Sequence, residues 1–256
     1  MKILRHTMQA IIPIVFLIFV WQITASLEFI NTQLLPSPLN VANAFIDLFG
    51  TGSLISDIFA SLQRVLIGFL FASVLGIGLG LLLGSNQKIT PFFIPIIELL
   101  RPIPPIAWIP LAILWFGLGD APAYFLVFLG AFFPIFTNTL FGVMAVEEIH
   151  KRVALSLGSN KKRFLTDILI PSSLPHIFAG LKIGLGVGWI VVITAELVGA
   201  QSGLGYMIQF NRLLLETPKI IVGMITIGAV GYLLNIAMTR LERKLIPWKG
   251  NNINNL

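Results

Sequence analysis

Residues 62–84 read LQRVLIGFLFASVLGIGLGLLLG, with Arg64 near the start and no ionisable side chain in the 20 residues after it. A helix needs roughly 20 mainly apolar residues to cross the hydrocarbon of a bilayer, and this run has that length. Its apolar character is continuous rather than alternating, unlike the strand of a membrane barrel. A helix is then the way for a backbone in lipid to satisfy its own hydrogen bonds. Five further windows share this character: Met8–Leu27, Phe92–Phe116, Ala121–Val143, Ile177–Ala200 and Ile220–Met238. The expected fold is all-α and membrane-integral, with about six transmembrane helices.

Composition agrees. Of 256 residues 56% are hydrophobic and 11% charged, against about 25% charged in a typical soluble domain. The mean hydropathy is +0.92. There is too little polar surface to coat a water-soluble globule, and the lipid bilayer is the first partner implied. The net charge of +6 is what basic cytoplasmic loops produce in a membrane protein and does not indicate a nucleic-acid partner. With no cysteine, disulfides and thiolate metal sites are excluded. No metal-spaced histidine cluster, Gly-x-Ser-x-Gly or P-loop is present, so no metal or bound cofactor is expected and an enzyme reading has no motif behind it.

Charge sets the orientation. Lys2 and Arg5 precede the first window, and Lys88 lies between the second and third. Lys151, Arg152, Lys161, Lys162 and Arg163 lie between the fourth and fifth, and Arg240, Arg243, Lys244 and Lys249 follow the sixth. Twelve of the 17 lysines and arginines thus fall on one side. The opposite loops hold Glu28, Asp47, Asp57, Asp120 and Glu216. Both termini and the loop 146–176 are placed in the cytoplasm. The first window follows basic residues as a signal peptide does, but its length and the lack of a small-x-small cleavage site favour an uncleaved span.

Two segments outside the windows have helical spacing. In Asn40–Leu62 the residues Val41, Phe45, Leu48, Phe49, Ile55, Ile58, Phe59 and Leu62 suggest amphipathic helix on the outer membrane surface, broken at Gly50–Gly52. In the loop 146–176 a helical pattern through Val153–Leu157 breaks at Gly158, restarts near Asn160 and stops at Pro171. Two short helices joined at a glycine would form a compact knob below the membrane. Val153, Leu155, Leu157, Phe164 and Leu165 would seat in a partner's groove, with Lys161, Lys162 and Arg163 on its rim. The bland alternative is a solvated basic loop that only fixes topology.

The spacing within that loop resembles the signature of ABC importer permeases, E-A-A-x3-G-x9-I-x-L-P. Ala154, Gly158, Ile168 and Pro171 stand at matching offsets, while Arg152, Val153 and Ile170 replace the acidic residue, the first Ala and the Leu. Further stretches are similar to the sulfonate, taurine, nitrate and bicarbonate branch of that family, which also serves pyrimidine-type vitamin precursors. They are Leu35–Pro38, Ser61–Phe69 with Arg64 and Gly68, Leu100–Leu111, Trp115–Gly119, and Ala195–Gly205 with Glu196, Gly199, Gly203 and Gly205. The resemblance implies a type I ABC importer permease in a bacterial plasma (inner) membrane, doing no covalent chemistry itself. It also implies a second copy of the chain as a homodimer, two ABC ATPase subunits carrying ATP-Mg, and an extracytoplasmic substrate-binding protein. The domain plan is an N-terminal transmembrane helix (1–34), a permease core (35–245) with the coupling loop 146–176, and a disordered cytoplasmic tail (246–256). An ATPase-independent secondary carrier or channel is the alternative function.

Ionisable residues inside membrane spans are costly and mark function by default. Glu98 and Arg101 are spaced to share a helix face, beside Pro102, Pro104, Pro105 and Pro110. Prolines at membrane depth suit a broken helix lining an aqueous path. Either this face borders the translocation route, with Arg101 a transient site for an anion, or the pair is a salt bridge within the bundle. Glu196 either closes an outer gate or caps the turn after it. Arg64, at the outer start of its span, is expected to snorkel. Trp108 is placed on the path, though tryptophans such as Trp108, Trp115, Trp189 and Trp248 are more often packing or interfacial anchors than substrate platforms. Gly76, Gly78, Gly80, Gly84, Gly180, Gly184 and Gly188 offer small faces for close helix contact.

Overall fold

The computed structural model describes residues 12–13, 16–25, 34–86, 88–146, 160 and 163–248, and all regular structure among them is helical. A short apolar helix α1 (Phe16–Ala25) falls in the first window; residues 8–11, 14–15 and 26–27 of that window lie outside the described residues. Then come α2 (Pro38–Gly50), α3 (Ser53–Ser85), α4 (Thr90–Leu100), a 3-10 turn (Pro105–Trp108), α5 (Ile109–Phe116) and α6 (Asp120–Met144). A π-helical turn (Phe164–Leu169) leads into α7 (Ile170–Gly199), followed by α8 (Leu204–Leu213) and α9 (Thr217–Leu245). Among the described residues four helical runs are long and apolar enough to span a membrane, and α4 with Pro105–Phe116 forms a fifth, bent by 80°.

Local chemistry fixes the boundaries. Ser37 caps α2, its side chain accepting from the Asn40 N–H at 3.3 Å, with Pro38 as the first helical residue. Gly52 takes φ +75° between α2 and α3, a conformation that an L side chain resists. The break expected at Gly50–Gly52 is present, but only α2 is a separate short helix, with Val41 and Leu48 turned into the core. Residues 53–62 are the first turns of the spanning helix, since no breaker separates them from it, and Leu54 and Ser61 are already buried there. In the loop 146–176 Asn160 caps the restart, its side chain accepting from the Arg163 N–H at 2.9 Å. Pro171 does not stop that helix. It stands in the first turn of α7, continuous with the π turn, where a missing N–H is tolerated.

Helix directions follow from where glycines are covered. A Cβ added at Gly68, Gly80 or Gly84 would strike Val127, Thr139 or Val143 of α6 within 2.7 Å, and one at Gly76 would press on Ile135 at 3.0 Å. The partners advance together, so α3 and α6 are parallel. Along α7, Gly180 meets Asn138, Gly184 meets Ile135 and Gly188 meets Val127, so α7 is antiparallel to α6. Gly78 faces open space and takes no part. Trp189 donates to the Ile227 carbonyl at 3.1 Å, and Lys182 pairs with Glu242, which sets α9 antiparallel to α7. Central α6 therefore carries much of the core, including Leu126, Val127, Ala131, Ile135 and Phe136.

The parallel pair settles the nature of the bent segment. From Arg64 to Ser85 α3 climbs about 30 Å, yet Asp120 begins α6 back beside Arg64. Residues 86–119 must return over the whole height, so the bent pair is a broken crossing and not a re-entrant loop. Ile246, at the start of the tail, is buried against the core; the tail beyond Trp248 lies outside the described residues.

A one-methyl test separates the seam from the lipid face. Gly80→Ala should lower stability in detergent by about 1–3 kcal/mol through overpacking against Thr139, while Gly78→Ala should be neutral or slightly stabilising. Thermal unfolding followed by monodispersity on gel filtration reads both.

Candidate functional site

Prolines make the break in the third crossing. Pro102, Pro104 and Pro105 have no N–H to give to carbonyls one turn earlier, and Pro104 adopts extended backbone with φ −65° and ψ 140°. Beside the break lies a cavity of about 390 Å³ between the broken span, α6 and α7. Pro104, Pro105 and Trp108 line it on one side, Phe125, Phe133 and Pro134 on another, and Ile183 and Val187 on the third. Trp108 and Phe125 meet edge to face with centroids 6.4 Å apart. The polar side chains on the wall are Arg101, Thr137 and Asn138.

Of the six residues assigned to the path from sequence, the structure brings Arg101, Pro105 and Trp108 to this cavity; Glu98, Pro102 and Glu196 are not part of its wall. Glu98 and Arg101 lie one turn apart, both exposed, and no ion pair joins them among the described residues. Phe125, Phe133, Thr137 and Asn138 were missed, since they lie on α6 at helical spacing and carry no charge that would single them out.

Glu196 belongs to a second polar centre, near the opposite end of α7 from the segment 146–176. Its Oε1 accepts from Arg64 Nη1 at 2.8 Å and its Oε2 from the Gly205 N–H at 2.9 Å, in the first turn of α8. Ser61 Oγ lies 2.8 Å from both carboxylate oxygens and accepts from the Leu204 N–H at 2.9 Å. Arg64 Nε donates to Asp120 Oδ1 at 2.7 Å, Nη1 to the Ser202 carbonyl at 2.6 Å, and Nη2 to Ser202 Oγ at 2.8 Å. Asp57 accepts from the Gly203 N–H at 2.8 Å. Gly203 takes φ +104°, and a Cβ there would collide with the Glu196 carboxylate.

Arg64 does not snorkel. Its side chain is 4% exposed and that of Glu196 0%. The span begins eleven residues before Arg64, at Ser53, which places the guanidinium inside the bundle, where its donors are spent on two carboxylates and a turn. The clamp joins α3, α6, α7 and α8 and leaves no buried side-chain nitrogen or oxygen unpartnered among the described residues.

Phe164, Ile168 and Pro171 lie in the π turn and the start of α7, with Arg163 just before them. Val153, Ala154, Leu155, Leu157, Gly158, Lys161 and Lys162 lie outside the described residues. No group of three or more potential metal ligands occurs among the described residues.

Residues 72–249 match the model of the binding-protein-dependent transport system inner membrane component. The chain belongs to that family. It is a multi-pass protein of the inner membrane, and its relatives are permease subunits. Among relatives, it is 35% identical to the taurine transport system permease protein of Escherichia coli, over 96% of this chain and 91% of that one. It is 37% identical to a nitrate import permease protein of Synechocystis, over 92% and 88% of the two chains. It is 34% identical to a putative aliphatic sulfonates transport permease of Bacillus subtilis, over 92% and 85%. The fold resembles an inward-facing structure of the MetNI methionine ABC transporter with a TM-score of 0.68, at 19% identity, covering 76% of this chain and 97% of that one. This is the type I ABC importer permease fold.

Removing one member of the clamp should cost far more than removing the pair. Arg64→Met strands Glu196 and should destabilise by about 3–5 kcal/mol. Adding Glu196→Gln to it should recover a substantial part of that loss. Thermal midpoints of the two single variants and the double variant, measured in one detergent, give the coupling.

Proposed function

We propose that this chain is the membrane-spanning subunit of an ATP-driven importer for a small oxyanion or organosulfonate. Support comes first from the taurine, sulfonate and nitrate permeases to which it is similar over more than nine tenths of its length. The cavity carries the reading further. It is an apolar chamber at a broken crossing with a guanidinium on its wall, which favours an anion over a cation as cargo. In this reading two copies pair around the path, a binding protein delivers the cargo on the outer face, and two ATPase subunits holding ATP-Mg dock on the cytoplasmic segment 146–176. Both termini lie on that cytoplasmic side.

Coupling would be mechanical. Val153, Ala154, Leu155 and Leu157 form one arm of the knob and Phe164 closes the other, with Gly158 at the elbow and Lys161, Lys162 and Arg163 on the rim. Ile168 and Pro171 join the knob to α7. Phe164–Gly199 is a single helical run of 36 residues, about 54 Å long. It ends three residues beyond Glu196, in the clamp. A displacement of the knob by a closing ATPase pair is carried along that rod to the outer end, where the clamp makes α3, α6 and α7 move together. The bundle rocks outward to accept cargo, and hydrolysis resets it.

Gly158→Asp tests the elbow. The variant should insert and assemble normally but lose at least about tenfold of the ATPase stimulation produced by loaded binding protein. The assembled transporter in nanodiscs, with phosphate release as readout, decides it. Undiminished stimulation would overturn the coupling assignment.

A further inference from the structure

Among the described residues Arg101 is the one ionisable group on the wall of the cavity, and its side chain makes no hydrogen bond or ion pair with any of them. Other cations within the bundle are spent: Arg64 on Asp120 and Glu196, Lys182 on Glu242. A guanidinium presents five N–H donors in a planar fork that matches an oxyanion. Arg101 lines the cavity together with apolar and aromatic residues, and no carboxylate stands on the wall among the described residues.

Two other donors share the wall. Most hydroxyls inside these helices bond back to a carbonyl one turn earlier, as Ser73 does to Phe69, Thr139 to Ile135, Thr194 to Ile190 and Thr226 to Val222. Thr137 makes no such bond among the described residues, so its O–H is uncommitted. Asn138 gives one N–H to the Pro134 carbonyl at 2.9 Å and keeps a second.

We propose that Arg101, Thr137 and Asn138 form a transit site for a monovalent oxyanion, a sulfonate or a planar nitrate-like ion, within the cavity between the broken span, α6 and α7. This rests on the importer reading and adds to it a cargo-contacting site inside the permease itself. One guanidinium balances one charge. A divalent anion would keep an uncompensated charge against apolar walls, which is costly. The site is built to be weak. It has one cation and two neutral donors in a chamber large enough for the ion to keep part of its water, and conduction requires binding that releases as readily as it captures. The break serves the same end, because extended backbone at Pro104 draws the chain aside and leaves room where a straight helix would fill it.

The test uses the complete transporter (permease, ATPase and binding protein) in liposomes, with labelled taurine and nitrate as probes and uptake normalised to ATP hydrolysed. Arg101→Gln should lower uptake per ATP by about tenfold, Thr137→Val by about two- to fivefold, and Arg101→Lys should restore most of the loss because the charge returns. Equal uptake per ATP for Arg101→Gln and the wild type overturns the site while leaving the importer intact. So does an equal loss in the Gln and Lys variants, which would mark Arg101 as structural. A wild-type complex that hydrolyses ATP but accumulates neither anion overturns the importer reading and the site with it.

Discussion

Lipid gives apolar side chains nothing to flee, so helices in a bilayer need another reason to touch. In this bundle the reason is backbone proximity along α6. Gly68, Gly80 and Gly84 of α3 and Gly180 and Gly184 of α7 come close to it, and each lies where an added methyl group would collide. Dispersion between closely fitted surfaces is small per atom and large in sum. The position of the broken crossing, of the cavity and of the clamp all follow from where that seam holds α3 and α7.

Polar chemistry at depth is handled in two opposite ways. At the clamp, an arginine, a glutamate, a half-exposed aspartate and a serine are tied to each other and to the turn before α8 until every buried side-chain nitrogen and oxygen among the described residues has a partner. Such a network is expensive to assemble from water and expensive to break, so it serves as a rigid joint. At the cavity, the proline break does the reverse. It withdraws backbone from the lattice of helical hydrogen bonds and leaves Arg101 without a partner among the described residues. One site spends its charge on architecture, and the other keeps it available.

Much of the fold was legible because hydrocarbon makes unusually strict demands of sequence. Windows two, four, five and six correspond to α3, α6, α7 and α9, and the prolines between Arg101 and Pro110 announced a break. Boundaries were less legible. Span two begins at Ser53 rather than Leu62 because continuity of a helix depends on the absence of a breaker, and a hydropathy window registers only greasiness. The clamp was visible only in fragments. Ser61, Arg64, Glu196, Gly203 and Gly205 all stood in stretches singled out by resemblance, yet nothing in spacing says that residues 132 positions apart share a hydrogen bond. Phe125, Phe133 and Thr137 were illegible because a lining residue and a packing residue look alike at helical period.

The parallel seam between α3 and α6 runs in constant register from Gly68 beside Val127 to Gly84 beside Val143. One residue inserted or deleted within either helix would rotate everything beyond it by about 100°, turning glycines toward lipid and branched side chains toward a neighbour's backbone. The intervening stretch from Asn86 to Gly119 has no such obligation, having only to span the same height. Change in length is therefore confined by geometry to the linker that carries the break and the cavity's cation. The stretch that supplies Arg101 to the cavity wall is the part most open to revision.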